Sequence, residues 1–322
     1  VKYLVGIDVG GTNTVCGLLD SEGNLLRKIN RPTQARLGSE HVIDKIALMV
    51  LSLFSAKQID PGQVLAVGIG NPGLVDPVLG ISLFAGNLGW KNVEMAERLR
   101  KRLNVPVFID NDVRMYVFGE AIKGAGKGYD HVLGITLGTG IGAAMVNRGQ
   151  MYYGSGFMAG EIGHIQMDGE QVACACGMRG CLETVASATG IVRQVREAIA
   201  NGKSSILRTW FPAENLSGLT AADVSKACDA GDEVAVEVMR HTGRLLGKAL
   251  SYAVSLFSPD VIVIGGGVAH AGERLLEPMR EELKRSVYQG YWARLSICTA
   301  QWLDDAGVIG SAIYAMRRME GA

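Results

Sequence analysis

A chain of 322 residues with 48% apolar content is long enough for two domains and can bury a sizeable core. Lysine plus arginine and aspartate plus glutamate number 32 each, which leaves no basic surplus for nucleic acid or an anionic membrane surface. No stretch of about 18 uncharged apolar residues occurs, and the chain opens on VKYLVGIDVGGTNT without a charged leader, so a cytoplasmic protein with a small-molecule partner is expected, with no nucleic acid and no membrane.

In chain order, KYLVGID and TVCGLLD read as apolar strands joined by a glycine turn at Gly10 and Gly11, and GNLLRKINRPT continues as a third strand. A helix spans about 39–56, since Val42, Ile43, Ile46, Ala47, Met49, Val50 and Leu53 recur on one face. VLAVGIG is a short buried strand, VEMAERLRKRLN an amphipathic helix, and VPVFIDND a strand ending in carboxylates. The strand, glycine turn and strand of the N-terminus return in HVLGITLGTGIGAAMVNRGQMYYG, which predicts two related sheet units. The helix AVEVMRHTGRLLGKALSYAVSLF then precedes the buried strand DVIVIGGGV. The alternation predicts an α/β protein with two lobes. The segment KSSILRTWFPAENLSGL, 203–219, reads as a turn-rich insertion without a legible role.

Glycine turns after strands can present converging backbone amides to an anion, although any single one is better explained as a hairpin turn. Here three of them, DVGGTNT, LGTGIG and IGGGV, carry Thr, Asp or a third glycine, and the combination points to a nucleotide. None fits GxxxxGK[ST], so a P-loop is excluded. His164 precedes Cys174, Cys176 and Cys181 in GHIQMDGEQVACACGMRGCLE. In a reducing compartment three clustered thiols and an imidazole suit a tetrahedral zinc better than disulfides, which would leave one cysteine over. Cys16, Cys228 and Cys298 read as isolated small hydrophobes.

GIDVGGTNT, GIGNPGLVDPVLG, NLGWKN, IDND, LGTGIG, AGEIGHI, CACGMRGCLE and IGGGV occur in the order and spacing of the ROK sugar kinases, and over its whole length the chain resembles a bacterial ATP-dependent glucokinase of that group. The resemblance implies an actin-like, ribonuclease H-like ATPase fold of two lobes with the ligand cleft between them and a zinc-bound loop. It implies a smaller lobe of 1–114 plus 306–322, with the first phosphate loop and a closing C-terminal helix, and a larger lobe of 115–305. The implied reaction is transfer from ATP, with Mg2+, to the primary hydroxyl of a hexose, glucose first; N-acetylmannosamine, fructose and allose are the alternatives, with a non-catalytic sugar-binding regulator behind them. ROK repressors carry a helix-turn-helix ahead of the DxGGT turn, which here begins at Asp8. A homodimer or higher homo-oligomer is expected.

Carried over by position, Asp8, Gly10, Gly11, Thr12, Asn13 and Thr14 form the first phosphate loop, and Gly138, Thr139 and Gly140 the second. Gly265 and Gly266 make the adenosine-side turn. Gly70, Asn71, Gly73, Asn87, Asn111, Asp112, Glu161, His164 and Glu183 meet the sugar, and Asp112 is the general base. His164 has one ring nitrogen for zinc and one for the sugar, while His164, Cys174, Cys176 and Cys181 hold a structural Zn2+. Asp110 is an acidic competitor of Asp112 two residues earlier. Asn13, and Val113, Arg114 and Met115, depart from the residues common in the group.

Overall fold

A computed structural model describes residues 2–212 and 216–320; of the 203–219 insertion, residues 213–215 lie outside the described residues. The chain divides into two compact units, Val1–Asp130 with Ala144–Ala159 and Ala300–Ala322, and His131–Ala143 with Gly160–Thr299.

The first unit is built on a sheet of β1 (Tyr3–Val9), β2 (Asn13–Asp20), β3 (Leu25–Pro32), β4 (Val64–Asn71) and β8 (Val107–Asn111), in the order β3-β2-β1-β4-β8. A three-stranded sheet of β5 (Leu74–Asp76), β6 (Ile81–Ala85) and β7 (Trp90–Val93) follows β4. On one face of the main sheet Val5, Ile7, Val67, Ile69 and Ile109 pack in a single core with α1 (Ser39–Lys57) and α2 (Met95–Leu103). The amphipathic runs expected there are real: Ile43, Ile46, Val50 and Leu53 of α1 and Leu99 of α2 are all buried.

On the opposite face strand alternation turns Gly6, Asp8, Gly68 and Gly70 outward. This face meets α11 (Ala306–Glu320) and α3 (Asp112–Lys123). A Cβ on Gly6 would lie 1.8 Å from the Val308 carbonyl oxygen, and one on Gly68 1.8 Å from that of Ser311. The glycines therefore let the helix backbone rest on the strand backbone. The same device joins α3 to α11, where a Cβ on Gly310 would fall 1.8 Å from the Met115 oxygen. The Ser311 hydroxyl completes the seam by donating to the carbonyls of Ile7 and Gly307, at 3.1 and 2.7 Å.

The second unit carries α4 (Glu183–Ala186), α5 (Ala188–Ala200), α6 (Leu207–Trp210), α7 (Ala221–Asp229), α8 (Glu233–Phe257), α9 (Glu273–Ser286) and α10 (Gln289–Trp292). Its parallel strands are β9 (His131–Leu137), β12 (Val261–Gly265) and β13 (Ser296–Thr299). With β10 (Ile141–Asn147) and β11 (Gln150–Met151), whose residues from Ala144 onward count with the first unit, the sheet order is β11-β10-β9-β12-β13. This is the order of the first sheet over again, an antiparallel meander of three followed by two parallel strands, so the repeat expected from HVLGITLGTGIG is present. Gly243 and Gly247 of α8 admit α9 at close range, with Met279 O only 2.3 Å from a Cβ on Gly247.

The division differs from the expected break after residue 114, which falls inside α3. The helix is continuous through Lys123, and a Cβ on its Gly119 would lie 2.9 Å from the Gly310 nitrogen, so all of α3 stays with α11. The stretch 144–159 also belongs to the first unit, where Tyr153 bonds to Asp110.

Because the atom facing Gly68 is backbone, no rotamer change can accommodate a methyl there. Gly68→Ala should cost about 3 kcal/mol or more in urea denaturation, the upper range for overpacking, and a wild-type midpoint would show that α11 can lift without loss.

Candidate functional site

The parallel strands β1, β4 and β8 end level with one another: Asp8 pairs with Gly70, and Gly70 with Asp110. Chain turns at these carboxyl ends bring together most of the candidate groups of the first unit. The β1–β2 turn closes with Gly10 N donating to Asn13 O at 2.8 Å, and a side chain on Gly10 would strike that oxygen. Thr33 braces the turn, its hydroxyl 2.6 Å from Gly10 O and 2.9 Å from the Thr14 hydroxyl, and its amide donating to Thr12 O at 2.7 Å. Asn87, on the turn between β6 and β7, lies against Gly11, 3.4 Å from the position a Cβ would take.

Asn111 caps α3, accepting from the Arg114 amide at 3.1 Å. Its amide nitrogen donates to Gly73 O and to Asp112 Oδ1, both at 3.0 Å. Gly70 lies beneath, 3.2 Å from the Asp112 Cα by its absent Cβ, and Gly73 has the left-handed φ of 85°. Asn71 differs from its neighbours. It is wholly buried and donates to Ser82 Oγ and Pro72 O at 2.9 Å, which leaves its Oδ1 without a partner.

The two acidic competitors stand in different environments. Asp110 is fully buried, with Oδ1 accepting from the Arg114 guanidinium and the Asn111 amide at 2.7 Å, and Oδ2 from the Tyr153 hydroxyl at 2.7 Å. Asp112 is half-buried and holds Oδ1 toward Asn111 and the Val113 amide. Burial raises its carboxyl above the usual range, against the opposing pull of the Val113 amide and Arg114. Asp8 is raised to about 7, chiefly by burial and then by the Asp112 charge.

In the second unit the β9–β10 turn closes with Gly138 N on Gly140 O at 2.9 Å. It rests on the start of α5, where Ala188 N donates to Gly138 O at 2.8 Å and Ser187 caps Gly190 N at 3.1 Å. A glycine turn joined to the amino end of a 13-residue helix is a ready anion cradle. Glu183 Oε2 accepts from Ile141 N at 2.9 Å, tying that carboxylate to the turn. Gly265 and Gly266 end β12, and Gly266 takes φ 83° with its α-carbon pressed on the Leu137 backbone. Beside them Ile191, Ala222, Met239, Gly267, His270 and Arg274 line a cavity of about 220 Å³.

His164, on a short turn at Ile162–His164, gathers with the three cysteines; one donor atom from each of the four lies within 4.8 Å of the others. Its Nδ1 is 3.7 Å from Cys174 Sγ, and Cys176 Sγ is 3.7 Å from Cys181 Sγ. Zinc–sulfur bonds of about 2.3 Å and a zinc–nitrogen bond of about 2.0 Å in a tetrahedron set ligand atoms roughly 3.5–3.8 Å apart, so the donor set fits that ion. Gly177 and Gly180 shape the knuckle with φ of 92° and 73°. The other ring nitrogen, Nε2, faces Glu161 at 3.8 Å.

Sequence reasoning missed Thr33, Tyr153 and Ser187. Ser187 was signalled, since SATG is a helix-start pattern. Thr33 and Tyr153 reach their partners only through tertiary structure.

Duplicated meander-and-parallel sheets with glycine turns at strand ends, a capped Asn-Asp pair and a Cys3His cluster together match the two-lobed α/β class that the motifs led us to expect. A family model described as the ROK family matches residues 4–318, and the chain belongs to the ROK family. It is 35% identical over 319 residues to a glucokinase of Thermotoga maritima, covering 99% of this chain and 98% of that one. A ROK-family glucokinase structure from Streptomyces griseus, in complex with glucose and AMPPNP, superposes with a TM-score of 0.84 at 32% identity, covering 98% of this chain and 99% of that one. A ROK-family transcriptional regulator, homologous to the E. coli MLC protein, superposes with a TM-score of 0.87 at 27% identity, with 99% of this chain and 79% of that one covered. Among the described residues no helix is long and apolar enough to cross a membrane.

The raised Asp8 carboxyl has a thermodynamic consequence. Protonated in the fold at pH values where the unfolded chain has released its proton, it adds stability below about pH 4 that is lost as pH rises through about 7. In thermal melts of the ligand-free protein, the difference Asp8→Asn minus wild type should grow more positive from pH 4 to 7.5; a flat difference would place Asp8 in contact with water.

Proposed function

We propose that this protein is an ATP-dependent hexose kinase of the hexokinase type, acting on glucose at its primary hydroxyl. The observation that carries the reading is the contrast between Asp110, both of whose oxygens are engaged by Arg114, Asn111 and Tyr153, and Asp112, which stands half-buried with Asn111 orienting it. A general base must be reachable by the proton that it takes, and Asp112 meets that requirement.

Phosphoryl transfer passes through a loose transition state, so positioning and charge neutralisation are the protein's main tasks. Magnesium carried by the nucleotide would neutralise charge on the phosphates. The backbone amides of the turns at Gly10–Asn13 and Gly138–Gly140 would hold phosphate oxygens, and the cavity beside Gly266 would take the adenosine. Asp112 accepts the sugar hydroxyl proton as the new bond forms. Asn111, Glu161, His164, Glu183 and Asn87 supply polar groups for ring hydroxyls. Glucose complexed with the S. griseus relative and the glucokinase similarity support glucose over N-acetylmannosamine, fructose or allose. The regulator similarity keeps a non-catalytic sugar-binding role as the second reading.

ADP release across a panel of hexoses tests both. Glucose should give the highest kcat/KM, and Asp112→Asn should lower turnover by about two orders of magnitude or more with both substrates still bound, while Asp110→Asn keeps most of it at the optimum pH. No ADP release with any hexose would favour the regulator.

We also infer a structural zinc on His164, Cys174, Cys176 and Cys181. With four protein ligands the ion has no open position; it fixes the loop and the His164 ring. One zinc per chain is expected by elemental analysis, and Cys176→Ser should lower the melting temperature and sugar affinity together. Zinc-free, fully active protein would remove the metal from the reading.

A further inference from the structure

Arg114 is an anomaly in α3. It is 4% exposed, in a helix whose charged residues would ordinarily face water, and the first turn of that helix carries the proposed base. Its guanidinium donates to Asp110 Oδ1 at 2.7 Å and also to the carbonyl of Phe157. Its centre stacks 5.3 Å over the Tyr153 ring. Tyr153 in turn donates to Asp110 Oδ2 and lies 3.3 Å from the Tyr314 hydroxyl, which accepts from Arg318 at 2.8 Å.

Two features make this more than a buried ion pair. First, Asp110, Asn111, Asp112 and Arg114 are linked through the cap itself: the Asn111 amide donates to Asp110, the Arg114 amide donates to Asn111 Oδ1, and the Asn111 side chain donates to Asp112 Oδ1. The guanidinium and the Asp112 carboxylate are thus joined by a continuous run of hydrogen bonds through Asp110 and Asn111. Second, Phe157 takes the left-handed φ of 61°, which is costly for a bulky residue. That conformation turns its carbonyl to Arg114, and its ring meets Tyr153 edge-on at 5.8 Å. A strained residue is held here to satisfy the arginine.

We propose that Arg114 is a positioning residue for the phosphoryl-transfer base: clamped by Asp110 and Phe157, its cation holds Asp112 aimed and charged through the Asn111 cap. This rests on the reading of Asp112 as the base. The ionisable and phenolic groups around the junction are Asp8 from β1, Asp110 from β8, Tyr153 from the stretch after β11, and Tyr314 and Arg318 from α11. The Asp112 charge adds to the raised affinity of Asp8 for a proton, and Arg114 favours ionisation of Asp112. Asp110 neutralises part of the arginine's field.

The arrangement predicts opposite effects from two changes that each remove a charge. In Arg114→Gln the favourable cation is gone, so the acid limb of kcat should move to higher pH, with the ratio of kcat at pH 6 to that at pH 8 falling about tenfold below wild type. In Asp110→Asn the arginine acts on Asp112 unopposed, and the limb should move to lower pH. Arg114→Lys, which keeps the charge, should restore the wild-type limb. Each variant is read only after a thermal melt shows it folded, and either folded variant suffices, because each has its own direction. A purely structural pair would lower kcat at all pH values alike. Acid limbs unchanged in both variants, or shifted in the same direction, would overturn the inference. Failure of the underlying reading is separate: Asp112→Asn would then keep its turnover.

Discussion

Everything at the carboxyl ends of β1, β4 and β8 depends on α11 lying backbone to backbone on the sheet. Gly6 and Gly68 have no side chain because the carbonyls of Val308 and Ser311 occupy that space. Gly307 brings the helix equally close to Asp8, whose carboxyl oxygen would stand 3.0 Å from a Cβ there. The carboxyl of Asp8 is thus partly covered by the helix main chain, and burial is the main cause of its raised affinity for a proton. A segment at the far end of the chain sets the electrostatics of a turn at its beginning.

Three aspartates of similar sequence context acquire three characters from their surroundings. Asp8 is roofed by a helix, Asp110 is bound on both oxygens, and Asp112 keeps one oxygen engaged by Asn111 and Val113. The difference between Asp110 and Asp112 is the change from strand to helix at Asn111: Asp110 still belongs to β8, whereas Asp112 opens α3. Asp110 meets Arg114 and Tyr153 because α3 turns back over it one helical turn later.

The meanders, α1, α2, α8 and the buried strand β12 were legible because each pairs a strict period with a stop signal. The small sheet β5–β7 was not. Its strands are three to five residues long, with Phe84 exposed and Ser82 buried, so no alternation survives to be read. The glycine turns and the Cys3His cluster were legible as local patterns, since their spacing is the chemistry. Arg114 was visible only as a departure. A charged residue in a helix suggests solvent, and its partners Tyr153 and Phe157 are distant in sequence, Phe157 lying 43 residues along the chain. The unit boundary was misplaced for the same reason: the contact of Gly119 with Gly310 is non-local, and a helix start looks like a natural break.

The orientation of His164 limits what can sit against it. With Nδ1 on the proposed zinc, Nε2 would carry the hydrogen of a neutral ring. That edge of the imidazole can then donate but not accept. Glu161, facing it at 3.8 Å, has the reverse character. Under the proposed sugar role, a hydroxyl placed between them would receive from the histidine and give to the glutamate, so the pair would read the direction of an O–H bond as well as its place on a ring. An ether oxygen or a bare hydrogen at the same point would answer one partner or neither.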